Sequence, residues 1–400
     1  MGRAKAAWEE AQERGWTTCD NFVCADCVED EYLRETISAN VTVCTCDYCN
    51  ETAEEPIAAP VSCIQEEIAR TVGYFYCEPT AAGVPYESAE GGWQTGLSHT
   101  SDVLFSLGLS CNDALFSDIQ TSFTTDFWAP SAQGHWASSH PHEMLSGSWD
   151  SFVELVKHRT RYFFSQPGHA QDAWNRELGP AELLAQIGNF ALELDLCKQI
   201  DADSLLYRAR IWTDQDLTPE AETMGAPPPD KAAAGRMNPA GISYLYLARE
   251  QQTALAETLS RPPCVGALAQ FRVSRPLRVL DLAVLPSMPS LFDNERRGEW
   301  TALTFLEGFV EAITTPVAKD GREHINYVPS QVVSEYFAKM FQDERGEQLD
   351  GIVYQSTVRP SGQNVVLFPN DSGTFEDKVV FESGCTASIA DWPTLLAELK

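Results

Sequence analysis

Two cysteine pairs, Cys24-x2-Cys27 and Cys46-x2-Cys49, are separated by 18 residues, and they limit the fold more tightly than any other feature of this chain. Each CxxC turn presents two thiolates to one metal edge, and four thiolates close a tetrahedron. The intervening EDEYLRETI reads as a short helix, as in a treble-clef or ribbon-like knuckle. Cys44 offers an alternative ligand for the second pair and Cys19 a weaker one for the first. Four protein ligands leave no open coordination position, so the expected Zn2+ is structural. Of the 12 cysteines, Cys19, Cys24, Cys27, Cys44, Cys46, Cys49, Cys63 and Cys77 lie before residue 78. The chain opens on MGRAKAAWEEAQERGW, a charged amphipathic helix pattern and not a secretion signal. Clustered cysteines without such a signal point to metal rather than disulfides. A bound metal also accounts for how an acidic segment with little core holds together.

At 400 residues the chain is too long for one ordinary domain, and 44% apolar content supplies real cores. No apolar run reaches the roughly 18 residues of a membrane span. The expectation is a soluble cytoplasmic protein with no membrane partner. A net charge of -30 argues against nucleic-acid binding, which needs basic surface. The charge is uneven. Between Arg34 and Lys157 the only Lys or Arg is Arg70, whereas Arg208, Arg210, Lys231, Arg236, Arg249, Arg261, Arg272, Arg275, Arg278, Arg296 and Arg297 crowd a later region. Such crowding suits a small anionic ligand, although surface salt-bridging explains most arginines of this kind.

The first half reads as mostly helical. Helices are expected over Ser62–Phe75, over Ser148–Phe164 and over Pro180–Leu196, with apolar residues at helical spacing across 101–128. His135, His140 and His142 lie in a Trp- and His-rich loop with spacing that fits no metal site, so they read as exposed or capping. Residues 1–80 form the zinc-knuckle segment of this reading and 81–200 a helical domain. Neither contains a residue to nominate as catalytic.

From Asp201 the texture changes. SLLYRARIW places Arg208 and Arg210 at alternating positions of a strand, hence on one face, where burial demands an anion or carboxylates. Pro227, Pro228 and Pro229 form a stiff extended rail before the Gly235-Arg236-Met237-Asn238-Pro239 turn. An apolar run and a short helix ending on Glu257 follow. CVGALAQFRV, LRVLDLAVL and GIVYQSTV paired with NVVLFP are further strands, with helices near Trp300–Ile313 and Pro329–Phe341. This mixture makes residues 201–400 an α+β domain, not a regular βαβ repeat.

YRARIW, APPPDKAAAGRMNPAGISYLYLA, TALAE and DGIVYQST…NVVLF together resemble the RES domain along roughly residues 201–370. Residues 1–200 are similar to the HEPN-like domain fused to some RES domains. They lack an Arg-x4–6-His ribonuclease motif, since Arg161 and His169 stand too far apart. The resemblance implies an ADP-ribosyltransferase-like mixed β fold and an enzyme that consumes NAD+. It implies cleavage of the nicotinamide–ribosyl bond by hydrolysis or phosphorolysis, as a toxin or defence effector. A cognate antitoxin or regulatory protein and a homo-oligomer are the partners it implies. Protein ADP-ribosylation, or nucleotide sensing without catalysis, are the alternatives.

Carried over by position, the family Arg falls on Arg208, its Tyr on Tyr246 and its Glu on Glu257. Its Ser falls on Ser356, followed by Asn364 at the expected place, with Ser330 in YVPSQ as the competing position. In that reading Arg208 and Arg236 clamp the diphosphate through bidentate forks. Arg210, Lys231 and Asn238 line the same site, and the proline rail with its turn forms one wall, Arg236 pointing inward. Tyr246 stacks on nicotinamide or its ribose, and Ser356 hydrogen-bonds ribose or amide. Glu257 stabilises an oxocarbenium-like transition state.

Overall fold

A computed structural model describes residues 11, 14–163, 177–212, 218–258, 264–315, 317 and 321–389. Most of the helix pattern expected at the N-terminus, together with His169 and Arg261, lies outside these. Contacts group the chain into two units: Met1–Met144, Ala170–Arg176 and Met288–Ala302 in one, Leu145–His169, Glu177–Ser287 and Leu303–Lys400 in the other.

In the first unit Phe22–Cys24 pairs antiparallel with Ala58–Pro60. Helix Glu31–Ala39 starts at Asp30, whose carboxylate accepts from the Leu33 amide at 2.9 Å, satisfying an otherwise orphaned donor. Ser62–Phe75 is helical as its periodicity predicts, and shorter helices cover Thr100–Ser106 and Asp113–Ser122. Leu33, Ile37, Ile64, Ile68, Val103, Leu104, Leu115 and Ile119 meet in one fully buried cluster. Residues on either side of position 80 therefore share a core. The loop histidines are not simply exposed: His140 is 8% accessible. Its ring lies 5.0 Å from Tyr74, 4.9 Å from Phe75 and 5.7 Å from His142. Three aromatic neighbours outcompete water for an imidazole kept neutral by burial.

The second unit is built on an eight-stranded sheet. Its strands are β1 (Cys197–Ile200), β2 (Leu205–Trp212), β3 (Leu245–Ala248), β4 (Cys264–Val273), β5 (Leu277–Asp281), β6 (Gly351–Gln355), β7 (Gln363–Leu367) and β8 (Val379–Ile389). The spatial order is β8-β4-β2-β3-β7-β6-β5-β1. Among the described residues only β5 and β6 pair in parallel. The α+β expectation therefore holds, with β1 and β8 added to the strands read from sequence. Leu206, Leu245, Leu247, Val279, Val353, Val365 and Leu367 belong to its buried apolar cluster. Within the sheet β2 and β3 share a single paired position, Ala248↔Tyr207, among the described residues. In contrast, β4 pairs with β2 from Val265↔Trp212 to Arg272↔Leu205.

Among the described residues the longer helices from residue 141 on are α1 (Pro141–His158), α2 (Pro180–Glu193), α3 (Gln251–Thr258), α4 (Arg297–Thr314) and α5 (Val328–Lys339), with short ones at Ala221–Met224 and Glu323–Asn326. Pro141 and Pro180 each occupy a first helical position, where a missing N–H costs nothing. The expected Ser148–Phe164 helix thus begins earlier and ends at His158. The Glu182 carboxylate accepts from the Gly179 amide at 2.9 Å, closing the start of α2.

Candidate active site

The turn after the proline rail is held from three sides. The Asn238 amide donates to the carbonyls of Ala233 at 3.0 Å, Pro239 at 3.1 Å and Ile242 at 2.8 Å. Its Oδ1 accepts from the Tyr246 hydroxyl at 2.7 Å, and that hydroxyl accepts from the Met237 amide at 3.0 Å. From α5, buried Gln331 donates to Gly235 O at 2.7 Å and Asn238 O at 3.0 Å. Position 235 must be glycine: a Cβ there would meet Asn238 Oδ1 at 2.5 Å and the Tyr246 oxygen at 2.6 Å. Gly241, at φ 86°, lies where side-chain-bearing residues are strained.

Around this turn and the β2–β3 seam lies a cavity of about 550 Å3. Arg208 from β2, Tyr246 from β3, Glu257 from α3, Tyr354 from β6, Asn364 from β7 and Arg236 from the turn all line it. Glu257 sits on the last turn of α3, which Thr258 fastens to β2 by donating to Ala209 O at 3.2 Å. One carboxylate oxygen, Oε1, accepts from Ser356 Oγ at 2.7 Å and from Asn364 Nδ2 at 2.7 Å. Ser356 Oγ in turn accepts from the amides of Val358 at 3.2 Å and Arg359 at 3.1 Å.

Arg208 brings an open donor to this cavity. Its Nη1 is buried and has no hydrogen-bond partner among the described residues. Burial, then the neighbouring Arg210 charge, push its guanidinium down to about 9, with Tyr246 acting weakly the other way. Burial, with a smaller contribution from Tyr327, raises the Tyr246 phenol to about 12 despite the Met237 and Asn238 contacts and Arg236. Tyr354, also buried, is raised chiefly by the same desolvation.

Arg208, Tyr246, Glu257 and Ser356 are thus brought together, and the other expected binding residues are mostly employed elsewhere. Arg236 lines the cavity, but its Nη1 donates to the carbonyls of Ile313 at 3.3 Å, Thr314 and Thr315 at 2.9 Å, capping the end of α4. Arg210 donates to Gly225 O at 2.8 Å and lies off the cavity. Lys231 is exposed, also off the cavity. Asn238 is consumed by the turn. Ser330 donates to Arg236 O at 2.5 Å and Tyr327 O at 3.0 Å, a holder of the turn rather than part of the Glu257 cluster. Pro227, Pro228 and Pro229 line a separate cavity of about 530 Å3 with Leu245 and Phe271. The hydroxyl proton of Ser356 goes to Glu257 and not outward to a ligand. Sequence reasoning missed Tyr327, Tyr354 and the contact made by Asn364. A lone Asn in the buried run of β7 was the available signal.

In the first unit Cys24, Cys27, Cys46 and Cys49 bring their sulfurs within 4.8 Å of one another. Three of the separations are 3.7 Å (Cys24–Cys27), 3.6 Å (Cys24–Cys49) and 3.7 Å (Cys27–Cys46). A tetrahedral ion with bonds of about 2.3 Å to sulfur needs edges of about 3.8 Å, so the set fits a metal such as zinc. Burial raises Cys46, but the amides of Cys49, Tyr48 and Cys24 outweigh it and bring the thiol to about 7, favouring the ligating thiolate. Burial and the contacts with Cys49 and Cys46 raise Cys24 to about 11, with Cys27 acting the other way. Cys44 faces Glu54 O at 3.7 Å and Cys19 faces Tyr48 at 3.6 Å, so neither alternative joins the set.

The α+β unit thus brings a half-buried arginine with an unpartnered Nη1, a doubly anchored glutamate and tyrosine rings around one cavity. Family models match a HEPN/RES N-terminal domain 1 at residues 39–170 and a RES domain at 205–392. The chain is therefore a RES-domain protein with an N-terminal HEPN/RES-type domain. No curated protein and no solved structure matches it. The RES domain supports an NAD+-related, toxin-type function in general terms. No helix among the described residues is long and apolar enough to cross a membrane.

Proposed function

We propose that the RES domain cleaves the nicotinamide–ribosyl bond of NAD+, passing the ribosyl carbon to water or phosphate. The reading rests on one observation: the open Arg208 cation and the anchored Glu257 carboxylate line the same cavity. Arg208 offers a desolvated guanidinium to the diphosphate, where a charge-assisted bond offsets the cost of its burial. Tyr246 and Tyr354 supply ring faces for the base and its ribose. As the C–N bond breaks, its electron pair leaves with nicotinamide and positive charge grows on the ribose. The Glu257 carboxylate stabilises that charge, which is absent from the ground state, and orients the incoming oxygen. In the first unit the four cysteines hold one structural zinc ion.

The test is incubation of the purified protein with NAD+, following nicotinamide with and without phosphate. Release that depends on Arg208 and Glu257 supports the proposal, and a phosphate requirement selects phosphorolysis. Label from NAD+ appearing on a macromolecule instead points to ADP-ribosyl transfer. Binding without turnover leaves a nucleotide-sensing module.

A further inference from the structure

We propose that Asn364 sets the working orientation of Glu257, an inference that rests on Glu257 being the carboxylate of the reaction above. Asn364 sits in the middle of the sheet, opposite Ala248 of β3 on one side and Tyr354 of β6 on the other. The next residues of β7, Val365, Val366 and Leu367, are fully buried and apolar. Asparagine is poorly suited to a strand interior, and a buried amide is costly unless hydrogen-bonded. A local rule broken at one position of an otherwise consistent strand marks a site with a job. The job is visible in its contact: Asn364 Nδ2 donates to Glu257 Oε1 at 2.7 Å.

The same oxygen takes the Ser356 proton at 2.7 Å. Two donors on one oxygen occupy both of its lone-pair directions, so the carboxylate cannot turn without losing both. Oε2 is then the oxygen left to meet the ligand. Glu257 needs such fixing, because it is exposed at the end of an eight-residue helix and its side chain would otherwise sample several rotamers. The fixing is rigid, since Asn364 is carried on a central strand paired on both sides. Asn364 is therefore a positioning residue that acts through Glu257.

Steady-state nicotinamide release by the full chain tests this with Asn364→Asp, which keeps the side-chain shape and replaces a donor by an anion, and with Asn364→Ala. Both variants should lose about 10- to 100-fold in kcat. KM for NAD+ should move less than about threefold, because Arg208 and the tyrosines are untouched. In a Glu257→Ala background Asn364→Ala should change the residual rate no further, since nothing remains to be positioned. Thermal unfolding of each variant identifies those that remain folded. A folded Asn364 variant with unaltered kcat, an effect on KM alone, or an equal loss in both backgrounds overturns the proposal. Wild-type protein that releases no nicotinamide sinks the underlying reading and this one together. Active wild type with unaffected Asn364 variants sinks this one only.

Discussion

Replacing Arg208 by methionine should make the protein more stable and less functional at once. Burial pushes the guanidinium from 12.5 down to about 9, and its Nη1 has no partner among the described residues. At about 1.4 kcal/mol per pH unit, that is a penalty on the charged form of about 5 kcal/mol. Part of it is relieved by solvent and local relaxation, so an apolar side chain of similar length should recover about 1–2 kcal/mol, within the range found when buried charges give way to apolar residues. For a unit of this size that raises Tm by about 2–8 °C. The sign follows from the lowered value. A cation held below its ordinary pKa destabilises the fold most at pH below about 9, and the cost fades as it loses its proton at higher pH. The gap between wild type and Arg208→Met should therefore be constant near neutrality and narrow in alkali. NAD+ should raise Tm of the wild type and leave the variant unmoved, because only the wild type gains an anion for its cation. Scanning calorimetry with and without NAD+, beside nicotinamide release, reads both halves. A variant that melts earlier than wild type and keeps its activity would refute the reasoning, because Arg208 would then be a structural cation.

Elemental analysis should find about one zinc per chain, lost in Cys24→Ser or Cys49→Ser with unfolding of the first unit; metal-free protein with an intact fold removes the knuckle. Asp350 is 6% exposed and accepts from Arg275 at 2.8 and 2.9 Å and from Lys378 at 2.8 Å. Asp350→Asn leaves Lys378 buried and unpaired, and denaturant titration should show a loss of about 3–5 kcal/mol. Burial raises the Asp350 carboxyl, but Arg275 and Lys378 outweigh it and hold it below its usual 3.8. Its contribution is thus complete above 3.8 and should disappear only as pH falls through the lowered value, which thermal unfolding in acid can follow.

The parts of this molecule written in local spacing were legible without coordinates. CxxC spacing announces a four-thiol set because both ligands of each edge lie within one turn. Alternation and 3.6-residue periodicity located most strands and helices. Arg236 shows where such reading stops. A turn arginine looks free in sequence, yet its nitrogen finds the open carbonyls at the end of α4, some 77 to 79 residues away. Asn238 and Ser330 were misread for the same reason: their partners are backbone groups assembled only by the fold. The contact of Asn364 with Glu257 stayed hidden because a strand residue's identity does not disclose which helix end its side chain reaches. The histidine loop failed differently. Its order depends on aromatic rings from another helix, which loop composition does not encode.

Among the described residues one paired position joins β2 to β3, so the sheet can be viewed as two plates, one of three strands and one of five. Arg208 rides on the smaller plate, while Tyr246, Tyr354 and Asn364 ride on the larger. A dinucleotide that touches both is a staple across the joint. A fragment carrying only the base, or only the phosphates, can grip one plate and leave the joint unfastened. Ligand length would then be felt as stiffness of the sheet.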